Sequence, residues 1–170
     1  SRLSSKAALE FLLFLLTLLV SFASGACPEP VAFSQISSDM THALDLFSEG
    51  QIEPFLAEGT RVQADIKCLN EIPLQSSIPE IHRFQAYYSY AIGDGDRVEG
   101  ALSAWLYGTS LETVMSDVND TALSEILIRV NEMPPPIRVP FLLEGTSTPY
   151  LDGAKVKERG LRNSALVQFS

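Results

Sequence analysis

The residues of this chain that could do chemistry are few, and their spacing suits other jobs. The run Asp94-Gly95-Asp96-Arg97-Val98-Glu99-Gly100 begins like a calcium loop, which needs oxygen ligands at positions 1, 3, 5 and 12 and Gly at 6. Asp94 and Asp96 fill the first two places, but Val98, Glu99 and Trp105 fill the others, so the run is read as a turn between helices. His42 and His82 are the only histidines. Each sits one helix position away from an apolar face, and a zinc site built on them would need Asp39 or Glu80 brought in by tertiary contact; partly exposed helix histidines are the expectation. Serines are plentiful, but no G-x-S-x-G elbow or Ser/His/Asp spacing accompanies them. Carboxylate pairs such as Glu49/Glu53 are unavoidable in an acidic chain. No glycine loop suited to phosphate occurs. The expectation is therefore no catalytic, cofactor-binding or metal-ligating residue, no cofactor, and a protein that is not an enzyme.

Cys27 and Cys68 are the only two cysteines. An even count in an exported chain predicts one disulfide, which closes a loop of about 40 residues and is worth about 4 kcal/mol by chain entropy. A catalytic thiol would need an activating base, and nothing local supplies one. Export is read from the first residues. Between Ala7 and Ala26 the only charge is Glu10, and the apolar run Phe11 to Val20 is broken only by Thr17. That is short of the roughly 20 residues a membrane span takes. Arg2 and Lys6 precede the run, and Ala23, Ser24, Gly25 and Ala26 follow it, the layout of a secretory signal peptide over residues 1–26. A retained anchor is the alternative. Cleavage before Cys27 would open a second route, lipidation of Cys27, against which the disulfide is preferred. The expected location is periplasmic or secreted, with no membrane span after cleavage.

The formal net charge is −9. Losing residues 1–26 removes Arg2, Lys6 and Glu10 and makes the remainder more acidic still. Such a surface repels phosphate backbones, so nucleic acid is not an expected partner. The one basic run, Lys155 to Arg162, is read as solvated, with an acidic partner surface as the sharper alternative. Asn119-Asp120-Thr121 forms a glycosylation sequon, relevant only in a eukaryotic source.

Helical periodicity organises the middle of the chain. Phe33, Ile36, Met40, Ala43/Leu44 and Phe47 recur at 3-and-4 spacing, and Gly50 stops them. Phe55, Gly59, Val62, Ile66 and Leu69 repeat the pattern behind Glu53-Pro54, predicting an antiparallel hairpin. Glu71 to Pro79 breaks it, with Ser77 placed to cap the next helix. That helix carries Ile78, Ile81, Phe84/Gln85, Tyr88 and Ala91/Ile92. After the Gly93–Asp96 turn, Val98, Ala101/Leu102 and Trp105 mark a fourth helix and a second hairpin. Ser110 caps a short turn bearing Leu111, Val114, Met115 and Val118, and Leu123, Ile126, Leu127, Val130 and Met133 mark a further helix. Pro134 to Pro136 end it. Strands are expected in PFLLEG, TPYLDGAKVK and SALVQF, with Asp152-Gly153 as a hairpin turn. The last run, Ala165 to Phe169, has no evident partner in sequence; a fragment, or pairing with another subunit, would explain it.

Tyr87, Tyr88, Tyr90, Trp105 and Tyr107 form the one unusual concentration of side chains. In one register Tyr88 and Trp105 face the core, which leaves the others toward a second face. Large aromatics anchor both cores and interfaces, so the candidate protein-binding residues are Tyr87, Tyr90, Trp105 and Tyr107, with Val167 and Phe169 on the last strand.

The block from Ile81 to Ser110 resembles a tetratricopeptide-type helical hairpin: small Ala86 where helices approach, a Gly93 turn, and Ala101-Leu-Ser-Ala-Trp105 with small and large residues alternating. Matching Ala43 to Ala86 gives a repeat of about 43 residues against the usual 34. The whole plan is similar to exported proteins of Gram-negative bacteria with an early Cys-Pro, a helical body and a strand-rich tail. That resemblance implies an envelope scaffold or adaptor. The expected fold is mainly α: stacked antiparallel, TPR-like hairpins over residues 27–133, a Pro-rich linker at 134–140 and a short β-rich tail at 141–170. The expected function is non-catalytic binding of another envelope or extracellular protein, through a helical groove or by strand addition. A structural subunit that self-assembles is the alternative, and a small secreted enzyme comes after both.

Overall fold

A computed structural model describes residues 27 and 29–134 together with the strand segments 138–140, 149–151, 154–155, 158–160 and 167–169. The expected leader at 1–26, residues 135–137 of the expected linker, the segment 141–148 and the Asp152-Gly153 turn lie outside the described residues. Contacts divide the chain into Ser1–Pro30 and Val31–Ser170. Of the first unit only Cys27, Glu29 and Pro30 are described, and the helices and strands below all belong to the second. Cys27 and Cys68 are disulfide-bonded, as the even count predicts.

Six helices make up the body among the described residues: α1 (Phe33–Ser48), α2 (Ile52–Ile66), α3 (Ile78–Ala91), α4 (Gly95–Gly108), α5 (Leu111–Asp117) and α6 (Thr121–Asn131). The chain is mainly helical, as its periodicity predicts. α1 buries Ile36, Met40 and Ala43, and α2 buries Phe55, Gly59, Val62 and Ile66. The two run antiparallel. Phe47 near the end of α1 meets Phe55 near the start of α2 edge-on at 5.1 Å, while Asp39 pairs with Arg61 at 3.0 Å one or two turns away. Gly50 takes φ 75° in the connection, a conformation that a Cβ disfavours. Arg61 also pairs with Glu58 and Asp65; hydrogen bonding to Glu58 first, then Asp39, raises its pKa beyond the ordinary arginine range.

No side chain of its own caps α1. Its first amide, Phe33 N–H, donates instead to the Glu71 carboxylate at 2.8 Å, a negative group set at the positive end of the helix dipole. Beside it Val31 bridges Leu69 in parallel, with Val31 N–H donating to the Cys68 carbonyl at 2.9 Å and Asn70 N–H donating to the Val31 carbonyl at 3.1 Å. The chain before α1 is thus stitched to the chain after α2.

The next two helices pack most extensively on each other. A 3-10 turn, Gln75–Ser77, runs into α3. Ser77 has helical φ and ψ and makes no side-chain cap bond, so it is the last residue of that turn and not the cap its spacing suggests. Gly93, at φ 75°, closes α3, and Asp94 Oδ1 accepts from Arg97 N–H at 3.2 Å to cap α4. Ser110 caps α5 through Thr113 N–H at 3.3 Å, as expected. α6 is capped by Asp120, which accepts from Leu123 N–H at 2.9 Å.

α3 is the central element, touching α1, α2 and α4, and α4 in turn touches α5 and α6. That position explains why α3 buries Ile78, Ile81, His82, Phe84, Ala86, Tyr87 and Ser89, a wider arc than the single stripe its apolar spacing predicts. The closest approach is at Gly59. A Cβ there would stand 2.7 Å from Cε2 of Tyr88 and nearer still to Cδ2, so α2 can lie against the Tyr88 ring only with glycine at this position.

Beyond α6, the described strands are β1 (Arg138–Pro140), β2 (Pro149–Leu151), β3 (Ala154–Lys155), β4 (Glu158–Gly160) and β5 (Val167–Phe169). β1 pairs antiparallel with β4. β2 pairs antiparallel with β3, Tyr150 opposite Lys155, and with β5, Leu151 opposite Val167. The run with no evident partner in sequence thus pairs with β2 of its own chain, in the order β3-β2-β5. No helix among the described residues is long and apolar enough to cross a membrane.

Candidate functional site

The aromatic concentration separates into side chains that hold the fold and one that does not. Trp105, 2% exposed, fills the core between the helices. Tyr87, 4% exposed, packs edge-on against Phe47 at 5.0 Å. Its hydroxyl donates to the Asp117 carbonyl at 3.0 Å, and burial pushes its pKa up against the pull of the Asn119 backbone and Arg83. Tyr90 is partly buried, and burial followed by Asp120 raises its pKa as well. Tyr87 and Tyr90 together hold the turn between α5 and α6 onto α3. Tyr87 and Trp105 are thus buried and Tyr90 partly so, since α3 and α4 pack against neighbours on more than one side and an aromatic outside the predicted stripe still finds a core. Tyr88 is half-buried, its ring stacked on Phe84 at 6.0 Å and its hydroxyl 3.0 Å from Thr60 Oγ1.

Tyr107 is the exception, 78% exposed at the penultimate residue of α4. It stands at a cleft of 390 Å³ formed where the start of α3 meets the end of α4. Ile78, Pro79 and Ala104 give apolar walls, and Gln75, Ser76 and His82 bring polar groups to the same space. Local sequence dictates the shape. Pro79 opens α3 in the first turn, where its missing N–H costs nothing, and small Ala104 and Gly108 on the facing helix leave room beside it. Leu74, 75% exposed, directly precedes the lining residues Gln75 and Ser76.

His82 is 1% exposed, not the partly exposed histidine its position suggests. Its Nδ1 lies 3.3 Å from Gln85 Oε1, and its ring borders the cleft from within. Like Gln75 and Ser76, its ring thus adds a polar group to a wall that Ile78, Pro79 and Ala104 make partly apolar. His42 is exposed on α1. Among the described residues no three of His, Cys, Asp and Glu gather as metal ligands.

A second, more polar cleft of 460 Å³ takes Gln63 and Lys67 from α2, Gln85 and Ser89 from α3, and Arg97 from α4. Its two cations have local duties. Lys67 is the C-cap of α2, where positive charge offsets the helix dipole, and Arg97 pairs with Asp94 at 3.2 Å.

Sequence reasoning names Tyr107 but not the cleft beside it. Leu74 gave a usable signal, a large apolar residue in a connection bounded by Pro73 and Pro79. Pro79 and Ala104 gave none, because the cleft arises from two helices crossing and neither sequence segment is unusual alone. For Val167 and Phe169 the structure gives the β5 backbone register only.

No family model, curated protein or solved structure matches the chain.

Proposed function

We propose that this is an exported, non-catalytic protein-binding scaffold whose stacked hairpins form a TPR-like body, and that a partner protein docks at the Pro79–Tyr107 cleft. The observation that carries this reading is the 78% exposure of Tyr107 in the lining of the cleft, with Leu74, 75% exposed, next in sequence to the lining residues Gln75 and Ser76. Burying a side chain of this size against a partner is worth about 1.5–3 kcal/mol, and tyrosine is enriched where interfaces concentrate their energy. The disulfide supports a location outside the cytoplasm,, and the leader at 1–26 is the proposed route there, to a periplasm or extracellular space.

The test is quantitative capture from envelope extract by the wild-type chain and by the Leu74→Ala/Tyr107→Ala double variant, with Ile128→Ala on α6 as control. A species retained by wild type and control and lost by the double variant is the expected result. Equal recovery in all three would refute the cleft as the docking surface.

A second reading has one observation in its favour. β5 lies at the edge of the described β3-β2-β5 order, and an edge strand is a template for another strand. In that reading the chain is a subunit of an assembly whose strand-rich tail pairs with its neighbour. Size-exclusion chromatography of the whole chain and of a form lacking residues 141–170 separates the two: a monomer at high concentration for both excludes self-assembly through the tail.

A further inference from the structure

We infer that the partner enters the Pro79–Tyr107 cleft with one uncharged aromatic side chain that carries a polar tip, tyrosine or tryptophan, on a segment flanked by basic residues. This rests on the protein-binding reading above and gives it a chemistry. The walls decide against a charged anchor. Ile78, Pro79, Ala104 and Tyr107 line the recess, and no charged residue does among the described residues; a carboxylate or ammonium moved there would lose its hydration with no opposite charge from them to replace it. The polar groups decide against a purely aliphatic anchor. Gln75, Ser76 and the buried ring of His82 all border the same space, which suits a side chain with an apolar body and a single hydroxyl or N–H at its end.

Size fits as well. The recess holds 390 Å³, near the lower end of the roughly 300–1,000 Å³ of ligand pockets, room for one phenol or indole and the backbone that bears it. The Pro79 ring and the exposed Tyr107 ring supply flat surfaces against which another ring can lie. The flanks follow from charge. With 21 acidic against 12 basic residues, the chain carries −9, and a field of that sign draws in cationic segments and repels acidic ones, chiefly through the association rate.

The probes are four blocked pentapeptides, Lys-Gly-Trp-Gly-Lys, Lys-Gly-Leu-Gly-Lys, Lys-Gly-Ala-Gly-Lys and Glu-Gly-Trp-Gly-Glu, titrated into the whole chain with its disulfide intact. The expected order puts the Lys/Trp peptide first, about tenfold tighter than the Lys/Ala peptide, with the Lys/Leu and Glu/Trp peptides weaker than the Lys/Trp peptide. Tyr107→Ala, and Ala104→Leu to fill the recess, should each weaken the Lys/Trp peptide about fivefold or more. Tyr107 is exposed, so its variant keeps the test sound even where Ala104→Leu does not fold. Equal binding of the Trp and Ala peptides, or binding unchanged in Tyr107→Ala, would overturn the inference. Should capture by the Leu74/Tyr107 surface succeed while the peptides show no preference, the anchor chemistry falls and the docking reading stands; should both fail, both fall.

Discussion

At the scale of single residues, the fold depends on a few close fits. Gly59 lies where an added methyl would collide with the Tyr88 ring. Alanine there gains about 1 kcal/mol in helix propensity but overpacks a site that overpacking commonly penalises by about 1–3 kcal/mol. Tyr88 is held by Phe84 and Thr60, so the ring has little room to yield. Gly59→Ala should lower stability in urea denaturation, and the loss should shrink when Tyr88→Ala is added. Tyr87 provides a second residue-level expectation. Its raised pKa, like that of Tyr90, means that the unfolded chain loses these protons first as pH climbs past about 10. Fewer protons bound by the unfolded state make the slope of stability against pH negative there. Stability should therefore hold with respect to these groups at neutral pH and fall in the alkaline range above about 10, and Tyr87→Phe should flatten part of that fall at a cost of about 1 kcal/mol for the lost hydrogen bond to Asp117.

At the scale of elements, what caps a helix decides where it begins. Asp120 caps α6 through Leu123 and also faces Tyr90. Asp120→Ala should cost about 1 kcal/mol and speed amide exchange in the first turn of α6. Ser77→Ala should cost less than about 0.5 kcal/mol, because Ser77 caps nothing. The pair shows how far sequence reaches at this scale. Periodicity places the helices well, since 3-and-4 spacing records a buried face directly, and Gly50 and Gly93 mark stops because positive φ selects glycine. Ser77 misleads because a serine before a helix is a local signal, and here it closes the 3-10 turn Gln75–Ser77 instead. His82, Tyr87 and Ser89 escape the stripe because α3 has neighbours on three sides, a fact of tertiary arrangement. The cap of α1 by Glu71 was equally out of reach, as it joins residues on opposite sides of α2.

At the scale of the whole molecule, the proposed export and the proposed binding both rest on an oxidised, intact body. The disulfide links Cys27 to Cys68, and loss of a link closing about 40 residues should lower stability by about 4 kcal/mol in the chain-entropy model. Reduction under native conditions should shift the denaturation midpoint accordingly, and the Cys68→Ser variant should match the reduced protein. The aromatic cluster was legible as a concentration but not as to its burial: most of it packs α3 and α4 against their neighbours, and of the five only Tyr107 is exposed. The cleft beside it joins two helices that are distant in composition from any motif, so it could be found only once they were packed. The most direct measurement of that central claim is site-specific photo-cross-linking in the producing cells, with a benzophenone side chain placed at position 107 and, in a parallel strain, at the exposed position 128 on α6. A discrete protein adduct from position 107 that disappears on Leu74→Ala, with none of the same mass from position 128, is the expected outcome; the same adduct from both positions, or none from position 107, would exclude docking at this cleft.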